Sequence, residues 1–310
     1  MTSAALLPAM DDGFSVAYWM RNYRTWADEV DELIVLTSGP SAETSPIEGP
    51  NVRVIRCAPG WVQHGEAIRR LLAATTADRI LLCEEDAYAR RPGVIREHLA
   101  MLDEWDVVAS PRDGGSGELL ARAHARWGEC RSGDEQGTGF WPAFGFFRRE
   151  ALDATDLLFE PRRWRKGQVV PGLRMRAPAE VSDETMMCVS WQMRDQGRRI
   201  RLVDQYRTTD HWLMRRWLGT DPPWFHVGSL SSGAGLYNGE QRNLPEHVRA
   251  HAWDYARRIS WWQRFADLAD PDDPRLPSYR ELLAELAEPC DPDFVGRWRL
   301  AYEPWITWLP

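Results

Sequence analysis

A chain of 310 residues, 44% hydrophobic and 27% charged, is long enough for one sizeable core, or for one large domain with an appendage. Its net charge of -8 excludes a surface coated in basic residues for gripping a polyanion. No apolar run approaches the roughly 20 residues of a membrane span, and the start MTSAALLPAMDD lacks the basic lead of an export signal, so a cytoplasmic location is expected.

The five cysteines are scattered without CxxC spacing, which argues against a disulfide framework or a structural zinc site. Cys83 and Cys188 fall in apolar patterns suited to burial. Seventeen tryptophans, many in the second half, are either core residues or platforms for stacking on sugars or bases.

In chain order, residues 4–7 read as a short strand stopped by Pro8 and by the run from Asp11 to Gly13. Val16, Trp19, Met20, Tyr23, Trp26 and Val30 recur every three or four residues and predict an amphipathic helix over 14–30. A β-type run at 33–37 closes in Ser38, Gly39 and Pro40, and 52–57 gives the next strand. Residues 61–76 then predict a helix carrying Ile68, Leu71 and Leu72. Strands alternating with helices imply a parallel sheet with right-handed crossovers.

The run RILLCEED follows. Ile80, Leu81, Leu82 and Cys83 have the character of a buried parallel strand, and Glu84, Glu85 and Asp86 end it abruptly. Such acids are expected outside the interior, at the carboxyl edge of a sheet, where open α/β folds keep their ligand crevice. With Glu84 and Asp86 two apart, a short turn would aim both toward one hard cation and its phosphate ligand. The competing reading is a solvated acidic loop.

Pro92 suits the first turn of a helix reaching about 104, and 106–110 reads as a strand. Residues 112–139 are glycine-rich and irregular, with one helix around 119–127, as expected of a functional loop. An aromatic strand is expected at 140–147, with Arg148, Arg149 and Glu150 leading into a short helix. The stretch PRRWRKGQVVPGLRMR, at 161–176, is basic against the trend of the chain; its plain reading is a solvated loop. Ser182 is expected to cap a helix with Asp183 and Glu184 in its first turn and Gly197 at its end, before a strand at 199–204. Helices are expected near 245–268 and 278–287 in a tail packed on the core through its tryptophans.

This order resembles GT-A type nucleotide-sugar glycosyltransferases, nearest to the broad family two group. The resemblance is carried by DELIVLTSG, then NVRVIRCAPGWVQHGEAIRRLLAATTADRILLCEED, then GFFRREAL, then SDET ahead of QGRRIRLV, with a late histidine in FHVGS. It covers most of residues 30–230 and lies in order and spacing rather than in any single motif. It implies an α/β, mostly parallel GT-A core over 1–210, with a donor half to about 110 and an acceptor half over 111–210. A Trp-rich helical extension over 211–310 is expected to complete the donor site.

The resemblance also implies roles. Glu84 and Asp86 match the acidic motif that holds Mn²⁺ or Mg²⁺ on the donor diphosphate, with Asp86 the stronger match and Glu85 between them. Glutamate at the first position departs from the pattern and leaves its role open between metal, ribose and water. His226 matches the late histidine that completes the metal shell, His211 less well, and a core or surface histidine is the plainer reading. Ser229, Ser231 and Ser232 suit a phosphate-binding flap or a simple turn. His64 and Gly65 line the nucleotide side, unless they merely start a helix. Asp183 matches the general base of inverting members, with Glu184 the runner-up; helix capping is the competing account of both.

The implied reaction is metal-dependent transfer of a sugar, from a UDP-sugar, to a hydroxyl acceptor. Trp164, Arg163, Arg165 and Lys166, with Arg162, Arg174 and Arg176 nearby, suit an anionic acceptor such as a glycan, a lipid phosphate or a hydroxylated base in DNA. The acidic net charge weighs against DNA. A glycoside hydrolase and a non-catalytic carbohydrate-binding protein remain as competing classes.

Overall fold

The computed structural model describes residues 1–10, 13–38, 47–57, 62–85, 87–89, 92–112, 117–128, 139–140, 143–203, 206–207 and 224–226. The elements run β1 (Ser3–Met10), α1 (Gly13–Arg24), a 3-10 turn (Ala27–Glu29), β2 (Glu32–Ser38), β3 (Val52–Cys57), α2 (His64–Ala73), β4 (Arg79–Leu82) and β5 (Ala87–Ala89). There follow α3 (Val94–Met101), β6 (Val107–Ala109), α4 (Gly117–Trp127), β7 (Gly145–Arg148) and α5 (Arg149–Asp153). Four two-residue strands come next: β8 (Arg163–Trp164), β9 (Val169–Val170), β10 (Met175–Arg176) and β11 (Val181–Ser182). The described order ends with α6 (Met187–Asp195), β12 (Ile200–Leu202), β13 (Tyr206–Arg207) and β14 (Trp224–His226). The helices expected near 245–268 and 278–287 lie outside the described residues.

Seven strands form one sheet in the order β12-β6-β7-β4-β1-β2-β3. Only β7 runs against the rest, pairing antiparallel with β4 and β6. The fold is therefore α/β with a mostly parallel sheet. Strand order reverses at β1, which has β2 on one side and β4 on the other. Open α/β sheets keep their ligand crevice at such a reversal, here beyond the carboxyl ends of β1 and β4. No helix among the described residues is long and apolar enough to cross a membrane.

β1 runs through Pro8 rather than stopping there. Leu6 O accepts the Cys83 N–H, and Thr2 O accepts those of Asp78 and Arg79, so the even-numbered backbone groups of β1 face β4. β4 pairs with β1 only as far as Leu82. The missing N–H of Pro8 thus falls where no neighbouring strand asks for a donor.

The core is built as the periodicity predicts. Val16, Trp19, Met20, Tyr23, Trp26 and Val30 are all buried, although the helix ends at Arg24 and a 3-10 turn completes the segment. Trp19, Tyr23 and Trp26 pack as one aromatic cluster with ring centroids 4.9–5.9 Å apart. Pro92 precedes α3 rather than opening it, because Gly93 is the N-cap, with φ of 86°. The carboxylate of Glu29 takes the role of a cap from another element, accepting the N–H groups of Gly93 (2.6 Å) and Arg96 (2.9 Å).

By internal contacts the chain divides into two compact units: Met1–Tyr206 with Trp217–Phe225, and Arg207–Arg216 with His226–Pro310. Within the first unit Trp224 is fully buried against His98, Phe144 and Phe146, and its indole N–H donates to Ser110 Oγ at 3.0 Å.

Candidate active site

The carboxyl edge of the sheet gathers most of the chemistry. β4 delivers Glu84 there, and the Ala87 N–H closes a turn on Glu84 O at 3.1 Å. Glu84 keeps 19% of its side chain exposed, whereas Glu85 is buried. The expectation that all three acids leave the interior thus fails for Glu85. Cys83 is buried too, and desolvation, with the Glu84 charge beside it, holds its thiol well above the usual range. A buried protonated thiol is inert, so Cys83 lines the strand end without chemistry.

α2 begins at the same edge because it follows the carboxyl end of β3. His64 Nε2 stands 3.9 Å from Glu84 Oε1, so two residues twenty positions apart share one spot. The N-terminus of α2 carries no side-chain cap. Uncapped first-turn N–H groups and the helix dipole favour an anion there. Gly65 has a packing reason: a Cβ on it would lie 2.5 Å from Glu160 Cγ and 2.7 Å from Glu160 N. Arg69 ties the crossing by pairing with both Glu160 and Glu66.

The other acids arrive by a different route than capping. Ser182 belongs to β11, and α6 begins only at Met187 after Met186 in a left-handed conformation (φ 69°), with no acid in its first turn. The competing tertiary bond explains the correction. Asp183 N donates to Arg162 O, while Asp183 Oδ1 accepts the Arg162 N–H at 2.6 Å and Oδ2 the Trp164 indole N–H at 2.9 Å. These bonds lock β8 against β11 before the helix can start. Since α6 returns to β12, parallel to β6, its N-terminal approach lies at the carboxyl edge of the sheet.

Asp183 is 3% exposed, and burial pushes its carboxyl up to about 6 from an ordinary 3.8, against the opposing pull of the Trp164 and Arg162 donors. A raised carboxyl favours folding fully below about 3.8 and loses that contribution as pH climbs through 6. Asp183→Asn removes this ionisation. Wild type is therefore expected to lose on the order of 2 kcal/mol more than Asp183→Asn between pH 4 and pH 7, read by urea denaturation at both pH values. A gap that does not change with pH would show that Asp183 is ordinarily ionised.

Glu184, next in the chain, has half of its side chain exposed and pairs with Arg112, which follows β6 at the same sheet edge. The two acids thus differ in kind: Asp183 is a buried clamp and Glu184 an accessible carboxylate.

The basic stretch is folded, not a loose loop. β8 pairs with β11 and β9 with β10. Trp164 is 8% exposed and packs among Leu119, Val170 and Trp191, so its face is not offered to solvent. Arg163, Arg165 and Lys166 are exposed, Arg163 facing Glu180 at 3.5 Å. Arg174 pairs with Asp195, and Arg176 donates to Gly167 O.

Asp86, His211, Ser229, Ser231 and Ser232 lie outside the described residues, as does the side chain of His226, which closes β14. No group of three or more His, Cys, Asp or Glu able to enclose a cation occurs among the described residues. Sequence reasoning missed Arg112, Glu160 and Arg69. Arg69 reads as a surface partner of Glu66 three positions earlier, and nothing local marks the other two.

Fold and edge together define an open α/β domain whose strand-order reversal has Glu84 and His64 close to each other at the carboxyl edge. No protein-family model matches the chain, and no curated protein matches it. Among solved structures the chain is similar to a mycobacterial protein, at 24% identity and TM-score 0.39, over 50% of this chain and 55% of that one. It is also similar to glucosyl-3-phosphoglycerate synthase from Mycobacterium tuberculosis. In its complex with Mn²⁺, UDP and glucosyl-3-phosphoglycerate the identity is 22% and the TM-score 0.36, over 50% of this chain and 59% of that one. In its complex with Mg²⁺ and UDP the values are 23% and 0.37, over 50% and 58%. The overlap is thus under two thirds of those chains' length.

Proposed function

We propose that this protein is a metal-dependent glycosyltransferase that moves a sugar from a nucleoside diphosphate donor, a UDP-sugar by the resemblance in motif order, to a hydroxyl acceptor. The observation that carries the reading is the meeting of Glu84, His64 and the uncapped start of α2 at the strand-order reversal, with Glu184 and Arg112 on the same sheet edge. A carboxylate beside a helix start that favours anions is an arrangement suited to a cation held between the carboxylate and a diphosphate. A divalent ion of this kind needs only one or two carboxylates when phosphate oxygens supply the rest, so Glu84 fits, joined in this reading by Asp86 and His226. Bound there, Mn²⁺ or Mg²⁺ neutralises the charge that develops on the departing diphosphate.

The chain's own groups divide the remaining work. First-turn N–H groups of α2 and His64 face the diphosphate side. Glu184 takes the proton of the attacking hydroxyl, with Arg112 fixing its carboxylate. Asp183 holds β8 and β11 so that the exposed Arg163, Arg165 and Lys166 meet an anionic acceptor. The core extends in this reading to about residue 210.

The deciding experiment incubates the full chain with UDP-, GDP- and TDP-sugars and Mn²⁺ and follows release of free nucleotide. Turnover with one donor, abolished by EDTA and by Glu84→Ala, is expected. Nucleotide release that ignores metal, or none with any donor, would overturn the assignment.

A further inference from the structure

We infer that Asn22, on α1 and outside the crevice, is a positioning residue that sets the geometry of the acidic turn and so tunes cation and diphosphate binding; this rests on the donor-site reading above. The turn between Glu84 and Ala87 must be held at two ends to present a carboxylate in one place. Its entry is fixed by the sheet, through the Cys83 N–H on Leu6 O at 2.9 Å. Its exit is β5, which lies outside the seven-stranded sheet. β5 pairs instead with β14 in a separate three-stranded sheet, and the Asn22 amide adds a further rung to it at Ala89. Nδ2 donates to Ala89 O at 2.8 Å, and Oδ1 accepts the Ala89 N–H at 3.0 Å.

This rung is itself anchored. Asn22 Oδ1 also accepts the Trp26 indole N–H at 3.1 Å, and Trp26 is fully buried in the aromatic cluster of α1, with Phe144 against its other side. Tyr23, beside Asn22, donates its hydroxyl to Pro50 O at 2.8 Å. Ala87 and Ala89 are fully buried, so their methyl groups add packing but no hydrogen bond to hold β5. Position therefore passes from the core of α1, through one amide, to the exit of the turn. Asparagine alone suits this, since the rung needs one donor and one acceptor on a short planar group.

Supporting residues of this kind, which touch neither ion nor substrate, cost about 10- to 100-fold in metal affinity when removed. The test measures Mn²⁺ binding to the full chain in the presence of UDP, by the EPR signal of free Mn²⁺, with thermal midpoints recorded alongside. Asn22→Ala is expected to bind Mn²⁺ about 10-fold more weakly or worse. Asn22→Asp, which keeps both acceptor contacts and loses only the donor to Ala89 O, is expected to fall between. Thr25→Val, which alters the same helix turn at the Thr25 hydroxyl bond to Asn22 O, is expected to stay within about twofold, as it leaves the β5 rung intact. Wild type that fails to bind Mn²⁺ with UDP would overturn the donor-site reading itself. Wild type that binds, with both Asn22 variants equal to it and only their thermal midpoints lowered, would overturn the positioning role. Should Asn22→Ala not fold, Asn22→Asp is judged by the same criterion.

Discussion

Glu184→Gln is expected to lower the turnover number by about 10²- to 10⁴-fold while leaving the KM for the donor within a few-fold. Glutamine keeps the length of the side chain and can still accept from Arg112, so the loss isolates the capacity to take a proton. The choice of Glu184 over its neighbour follows from surroundings. Asp183 is buried and its two oxygens already accept N–H groups from Arg162 and Trp164, whereas half of the Glu184 side chain is exposed. A base must reach its proton before its affinity matters. Steady-state kinetics of both variants decide the assignment. If Glu184→Gln turns over normally while a folded Asp183→Asn is dead, the roles are reversed; if neither is impaired, no carboxylate base operates here.

Gly172→Ala carries the largest expected effect on folding, a loss of about 3 kcal/mol or more by urea denaturation. Gly172 sits between β9 and β10 with φ of 79°, a region that costs an alanine roughly 1–2 kcal/mol. A Cβ there would also come within 2.4 Å of Trp191 C and 2.5 Å of Gln192 N. Both atoms are backbone of α6, which cannot yield as a side-chain tip can. Gly167, with φ of 86° and nothing within 4 Å of its missing Cβ, separates the two causes. Gly167→Ala is expected to cost only the backbone part, about 1–2 kcal/mol. Equal losses at the two positions would mean that the turn does not press on α6. A large excess at Gly172 would show that the basic segment is seated against the helix following the two acids.

Much of this framework was legible in the residues. The three-to-four spacing from Val16 to Val30 marks a buried face whatever the helix does at its end, because burial follows the side chain and not the hydrogen-bond pattern. Residues 52–57 form the expected strand, and Gly197 ends α6 as expected. The reason is local: Gly197 at φ 72° lets the Gly197 and Arg198 N–H groups return to Arg194 O and Met193 O. The strand-to-acid boundary at Glu84 was also visible, since an apolar run must stop where charge begins.

What lay beyond the residues was every choice that a distant partner makes. Whether Ser182 caps a helix or ends a strand is decided by Arg162 and Trp164, about twenty residues earlier, which claim Asp183 first. Pro8 reads as a strand breaker, yet it is harmless because β4 ends two rungs before it, a fact of register that β1 does not carry. His64 and Glu84 share a spot only because the chain reverses its strand order at β1. Local sequence thus determined which segments are buried and where they turn, because those depend on side-chain solvation and backbone preference. Pairing, register and the division of labour between neighbouring acids were left to tertiary structure, because each depends on a group that the chain brings from far away.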